Sequence, residues 1–183
     1  MKINYVTGNK NKFAFAQRML EHAGIILEQK NLDIPEIQDS DYHKISIDKA
    51  KKAFEILQEP LFITDSSWEI PALNGFPGAF MKYVNNWFTA PDWLNLMKDK
   101  ADRRILAIDN IVYIDKNGWK KFEWILEGEI GEVAYHTGSN ELHRVVKFDG
   151  KYIEENNISG EKIQGEAKVW GEFAEFLKVG RLD

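Results

Sequence analysis

Apolar and polar residues along this chain follow two rhythms, one of period two and one of helical period. Ile3 to Val6 is a short β-type run that closes at Thr7-Gly8-Asn9. Beyond it Phe13, Ala16 and Leu20 recur at helical spacing up to the stop signal Gly24. Ile25 to Leu27 reads as a second strand. Ile45 to Leu57 predicts a helix, with Ile45, Ala53, Ile56 and Leu57 on its apolar side and Pro60 beyond its end. Leu61 to Ile70 returns to strand, where Asp65, Ser67 and Glu69 share one face because side chains alternate. Pro71 to Pro77 is a turn-rich loop, and Trp93 to Lys98 predicts a short helix. Arg104 to Ile114 and Trp119 to Ile130 predict a hairpin around Lys116-Asn117-Gly118, since Asn-Gly tolerates the positive φ of a tight turn. The stretch from Gly131 to Gly165 carries no clear period. Glu166 to Val179 predicts an amphipathic helix that buries Val169, Trp170, Phe173, Phe176 and Leu177. Helices alternating with strands, plus a long hairpin, predict an α/β fold with mixed strand pairing.

The length of 183 residues suits a single domain, 1–183, with room for two lobes. Six Trp, eleven Phe and six Tyr supply a sizeable core. A net charge of -5 argues against a dedicated nucleic-acid-polymer binder, which needs a basic face, but leaves room for a small anionic substrate. With no cysteine, disulfides, thiol catalysis and Cys-ligated zinc are excluded. The run Met1 to Val6 is too short for a signal peptide, and no stretch is long enough to span a bilayer. A soluble cytoplasmic protein with no membrane partner is expected.

The first candidate for chemistry is Val6-Thr7-Gly8-Asn9-Lys10-Asn11-Lys12, at a strand-to-helix junction. Such a junction presents unpaired backbone N–H groups and the positive end of a helix dipole. Gly8 lets the backbone approach an anion, Thr7 and Asn9 add short polar groups, and Lys12 lies one turn in. The spacing is not that of a P-loop. A capped helix whose lysines face solvent fits the same residues.

Four blocks in order within the N-terminal half resemble the inosine triphosphate pyrophosphatase (Ham1/RdgB-like) family. They are Thr7-Gly8-Asn9-x-x-Lys12, the acidic segment Leu32 to Gln38, the helix start Ile45 to Ala50, and Asp65-Ser66 followed by Ala72 to Phe80. The resemblance implies an elongated mixed sheet flanked by helices, in two lobes with a central cleft, assembled as a homodimer. It implies an Mg²⁺-dependent enzyme that cleaves a nucleoside triphosphate, favouring deaminated purines, to the monophosphate and pyrophosphate. A non-catalytic nucleotide-binding relative that kept the fold is the other reading.

By the same resemblance Thr7, Gly8, Asn9, Lys12, Ser66, Gly75, Gly78 and Lys82 meet the substrate. Lys49 and Asp65 are catalytic, and Glu36 and Asp65 hold the metal. Whether Asp65 binds metal or polarises the attacking water stays open. The bland alternatives are a solvated loop for Glu36, a solvated helix face for Lys49 and simple turn-making for Gly75 and Gly78. Asp65, between Ile63 and Trp68 in an apolar strand, needs a partner or a metal.

The chain departs from the family in several places. Thr64 stands where members often carry Glu, and Glu69 on the Asp65 face is a possible substitute. The base-reading G-F-G-W-D-P-x-F segment and the later S-H-R are absent. Instead stand Gly138 to Phe148, with His143-Arg144, and Ile158 to Lys162 without His-Arg. An alternating strand over Leu142 to Phe148, with Arg144 on its wet side, is the favoured reading there. Trp119, Trp124 and Tyr135 read as packing aromatics, and His22 and His43 suggest no partner.

Overall fold

The computed structural model of the protein describes residues 1–138, 140–155 and 166–179. Ser139 and the segment Ile158 to Lys162 singled out above lie outside the described residues.

The chain divides into two compact units. Unit 1 comprises Met1–Asp65, Asp109–Trp124 and the C-terminal helix, and unit 2 comprises Ser66–Ile108 and the residues from Ile125 that follow. The strands are β1 (Lys2–Val6), β2 (Ile26–Lys30), β3 (Leu61–Glu69), β4 (Pro77–Gly78), β5 (Arg104–Asp115), β6 (Gly118–Ile130), β7 (Val146–Phe148) and β8 (Lys151–Tyr152). They form a mixed sheet in the order β2-β1-β3-β5-β6-β7-β8, with β4 paired to β3. The helices are α1 (Lys10–Glu21), α2 (Tyr42–Leu57), α3 (Met81–Trp87), α4 (Ala90–Leu96) and α5 (Glu166–Val179). The expected α/β class with mixed pairing is therefore what the chain adopts. Among the described residues no helix is long and apolar enough to cross a membrane.

In unit 1, β1 runs parallel to β2 (Lys2↔Ile26 to Val6↔Lys30) and to β3 (Asn4↔Leu61, Tyr5↔Phe62). Parallel neighbours need crossover helices, and α1 and α2 are those crossovers. Alternate residues then face opposite layers. Ile3, Tyr5, Phe62, Ile111 and Tyr113 pack on α1 and on Val169, Trp170 and Phe173 of α5. Val6, Leu61, Ile63, Val112 and Ile114 pack on Ala50 and Ala53 of α2. Tyr42, Ser46, Ala50 and Ala53 make the buried side of α2, so Ile56, expected on it, is 57% exposed. Small residues at that contact let the helix lie close to the sheet.

Unit 2 has its own core of Ile70, Trp93, Met97, Ile105, Ile130, Val145, Val146 and Phe148. The hairpin turn after Asp115 is held by Asn117 N–H donating to the Asp115 carboxylate at 2.8 Å, with Gly118 at φ 143°. The alternating strand expected over Leu142 to Phe148 is corrected. Only Val146–Phe148 is strand, and the residues before it turn, with Val145 and Val146 N–H bonding back to Leu142 O. Arg144 is half-buried, donating to Tyr135 O and to both oxygens of Glu141.

Candidate active site

The turn between β1 and α1 is built by three short polar side chains. Thr7 N–H extends the ladder to Lys30 O at 2.9 Å, and Gln29 Nε2 donates to Thr7 O at 3.0 Å. Asn9 N–H donates to Thr7 Oγ1 at 3.1 Å. Asn9 caps α1, its Oδ1 accepting from Asn11 N at 2.9 Å and Lys12 N at 3.2 Å. The picture of unpaired amides at this helix start is thus corrected: Asn9, Asn11 and Lys12 N–H are bonded within the turn. Gly8 stays exposed, and a Cβ there would lie 2.7 Å from Asn31 Oδ1, so the Asn31 amide flanks the turn closely.

The acidic segment lies along α2. Leu32 and Ile34 pack against the α2 core, and Lys52 Nζ donates to Pro35 O at 2.9 Å. Lys49 Nζ donates to Glu36 Oε1 at 2.5 Å. These side chains keep 25% and 44% of their exposure, so the pair is reachable by a ligand. Neither residue is the isolated solvated group that composition alone allows.

Asp65 is half-buried on β3, and by alternation its side chain shares the face of Ile63. Thr64 points to the other face, where its hydroxyl meets Tyr5 OH at 2.6 Å. Burial foremost, and also the Asp65 charge, push the Tyr5 phenol pKa up against the hydrogen bond it shares with Thr64. The phenol therefore stays protonated.

In unit 2 Ser66 is exposed on β3. Asn74, Gly75 and Gly78 have φ of 55°, 85° and 56°, and the Phe76–Pro77 peptide is cis. The two glycines thus sit in the left-handed region that favours them. Lys82 is exposed on the first turn of α3. His143 is half-buried, its ring tilted on Trp68 with centroids 6.0 Å apart.

Sequence reasoning missed Tyr5, Gln29 and Asn31 at the β1–α1 turn, and the Lys52 bond to Pro35 O beside Glu36. For Tyr5 one signal was available: a tyrosine inside an apolar strand must find a partner for its hydroxyl.

Among the described residues no group of three or more His, Cys, Asp or Glu forms a metal cage. Mg²⁺ does not need one, because it binds through one or two carboxylates and completes its shell with waters and substrate phosphates. Glu36 and Asp65 are hard oxygen donors of that kind, so the donor set fits.

These features define an α/β protein with an open mixed sheet, in which Asn9 caps the helix after β1 and Lys49 of α2 pairs with Glu36. The chain belongs to the Ham1 family, whose model matches residues 3–142. It is 31% identical over 150 residues to a dITP/XTP pyrophosphatase of Methanosarcina mazei, covering 81% of this chain and 82% of that one. It is 28% identical over 186 residues to an inosine triphosphate pyrophosphatase of Candida glabrata, covering 96% and 97%. A Ham1 protein from Coxiella burnetii shares the fold, with a TM-score of 0.78 and 20% identity over 98% of this chain and 100% of that one.

Proposed function

We propose that the protein is an Mg²⁺-dependent nucleoside triphosphate pyrophosphohydrolase acting on non-canonical purine nucleotides. It is a hydrolase of phosphoric anhydrides, the class to which its pyrophosphatase relatives belong. A water attacks the α-phosphorus, the bond to the α–β bridging oxygen breaks, and the products are a nucleoside monophosphate and pyrophosphate. Lys12 and Lys49 neutralise phosphate oxygens as point charges on long stems. Thr7, Gly8 and Asn9 line the approach to them. Asp65 orients the attacking water or shares in holding the metal with Glu36. When bound, the cation neutralises charge on the phosphates and polarises the phosphoryl group. The reading includes a homodimer working in the cytoplasm on free nucleotide.

The observation that carries it is the Lys49–Glu36 contact. Two residues from separate stretches, assigned to phosphate and to metal, meet side by side in unit 1. Thr64 favours a second reading, a relative that binds nucleotide without turnover, because a hydroxyl stands where relatives often place a carboxylate.

Pyrophosphate release from a panel of triphosphates, including ITP and XTP, with and without Mg²⁺, tests the proposal. Mg²⁺-dependent release is expected, fastest with the deaminated purines. Thermal stabilisation by a nucleotide that is never consumed would favour the second reading.

A further inference from the structure

We propose that Tyr5 and Thr64 are positioning residues, their side-chain hydrogen bond holding the Asp65 end of β3 against the end of β1 that leads into the Thr7–Lys12 turn. The inference rests on the functional reading of Asp65 and Lys12 above, and it adds a device to it.

Tyr5 is 1% exposed, and its ring is clamped. It stacks on Phe62 of β3 at 4.4 Å and 8°, and on Phe13 of α1 at 6.3 Å and 20°. A ring so held delivers its hydroxyl to one place. Phenylalanine would fill the same core, so the hydroxyl must be explained by what it bonds. It meets Thr64 Oγ1 at 2.6 Å. Thr7 Oγ1 accepts from Asn9 N–H, and Asn9 Oδ1 accepts from Asn11 and Lys12 N–H.

The bond lies where the backbone ladder ends. The β1–β3 pairing stops at Tyr5↔Phe62, short of both Thr7 and Thr64. Beyond that point the phenol couples the two strand ends. Its partner Thr64 immediately precedes Asp65, and the strand pleat turns the Asp65 side chain to the other face. The bond therefore acts on Asp65 through the backbone rather than by touching substrate. Small misplacements of a reacting group are costly to turnover, so loosening this coupling acts on kcat more than on binding.

The experiment compares wild type with Tyr5→Phe, Thr64→Val, Thr64→Ser and the Tyr5→Phe/Thr64→Val double variant, using ITP with Mg²⁺. Tyr5→Phe and Thr64→Val are expected to lower kcat about tenfold with KM changed by less than about twofold. Thr64→Ser, which keeps the hydroxyl, is expected to retain most of the activity. The double variant is expected to be no slower than the slower single, because both break the same bond. Amide hydrogen exchange at residues 8–12 and 64–66 is read on the same proteins. Both segments are expected to exchange about tenfold faster in Tyr5→Phe and Thr64→Val, with α5 unchanged. Wild-type kcat in both single variants, multiplying effects in the double, or unchanged exchange at residues 8–12 would overturn the inference. If wild type releases no pyrophosphate from any triphosphate, the functional reading fails by itself, and the exchange data still decide whether the Tyr5–Thr64 bond couples the two strand ends. Thr64→Val leaves the Tyr5 ring in place, so it keeps the test valid should Tyr5→Phe fold poorly.

Discussion

Lys49 Nζ donates to Glu36 Oε1 across 2.5 Å, joining the middle of α2 to the extended segment that precedes it. With side chains 25% and 44% exposed, such a pair contributes about 0–1 kcal/mol to stability. On the function proposed above its value is in arrangement: the cation would exchange the carboxylate for a phosphate, and the carboxylate the cation for a metal. Lys49→Met is therefore expected to lower kcat/KM by about 100-fold or more, as losing a charge aimed at the reacting phosphates does. Its urea midpoint should stay close to wild type. Glu36→Gln should instead raise the Mg²⁺ concentration needed for half-maximal rate. Near-wild-type kinetics in both variants would remove the pair from the mechanism.

Gly8 gives a second test. An added Cβ would lie 2.7 Å from Asn31 Oδ1, but Asn31 is an exposed side chain that can swing away. Gly8→Ala is expected to fold with a stability loss within about 1 kcal/mol and to lose most of its nucleotide affinity, read by titration calorimetry. The Gly8→Ala/Asn31→Ala double variant separates the causes. If the methyl obstructs the incoming phosphate, affinity stays low. Recovery would assign the loss to the Asn31 clash.

The parts of this architecture legible in the chain are those where pattern and chemistry agree. The Asn9 start of α1 was visible because a short amide before a helical apolar period has one strong use. The α5 stripe of Val169, Trp170, Phe173 and Leu177 was visible because all four residues are buried on one side. Helix α3 escaped notice: only Met81 and Val84 are buried, while Tyr83 and Trp87 face out, so apolar residues ring the helix and leave no stripe. Leu142, Val145, Val146 and Phe148 are all buried, and a turn feeding a three-residue strand imitates alternation. The candidate residues could be named through resemblance, but their couplings could not. Tyr5 and Thr64 lie 59 positions apart, and only the fold makes them neighbours.

The start of α2 provides a pH test. Glu123 accepts from Tyr42 OH at 2.6 Å and Lys121 Nζ at 3.0 Å, and Lys121 Nζ reaches His43 Nδ1 at 2.7 Å. His43, without an evident partner in the sequence, thus belongs to a cluster that fastens α2 to β6. Burial works to raise the Glu123 pKa, but the Tyr42 and Lys121 bonds, with the charges of Lys121 and His43, outweigh it, and the net shift is downward from 4.5. A depressed carboxylate stabilises the fold above its unfolded value and loses that contribution as pH falls through its folded value. Glu123→Gln should therefore flatten the acid limb of the stability curve below about pH 5, measured by urea unfolding against wild type. Parallel acid limbs would show that Glu123 does not contribute to it.

His143 gives the complementary case in unit 2. Burial, acting most strongly, lowers its pKa from 6.5, against the opposing charge of Glu154, whose Oε1 lies 3.9 Å from Nδ1. Glu154 is itself engaged by Asn140 N–H at 3.3 Å. The folded state therefore favours neutral imidazole, packed on Trp68, while the unfolded chain takes up a proton as soon as pH drops below 6.5. The sign follows from linkage: below that value the unfolded state binds more protons, so stability falls with acidification until the folded imidazole also titrates. One such proton can change stability by at most about 1.4 kcal/mol per pH unit. His143→Gln, neutral throughout, removes that slope. Urea unfolding of both proteins at neutral pH and about one and two units below it should show wild type losing stability faster than the variant. Equal slopes would mean that His143 binds its proton alike in the folded and unfolded states, with the Glu154 charge cancelling burial.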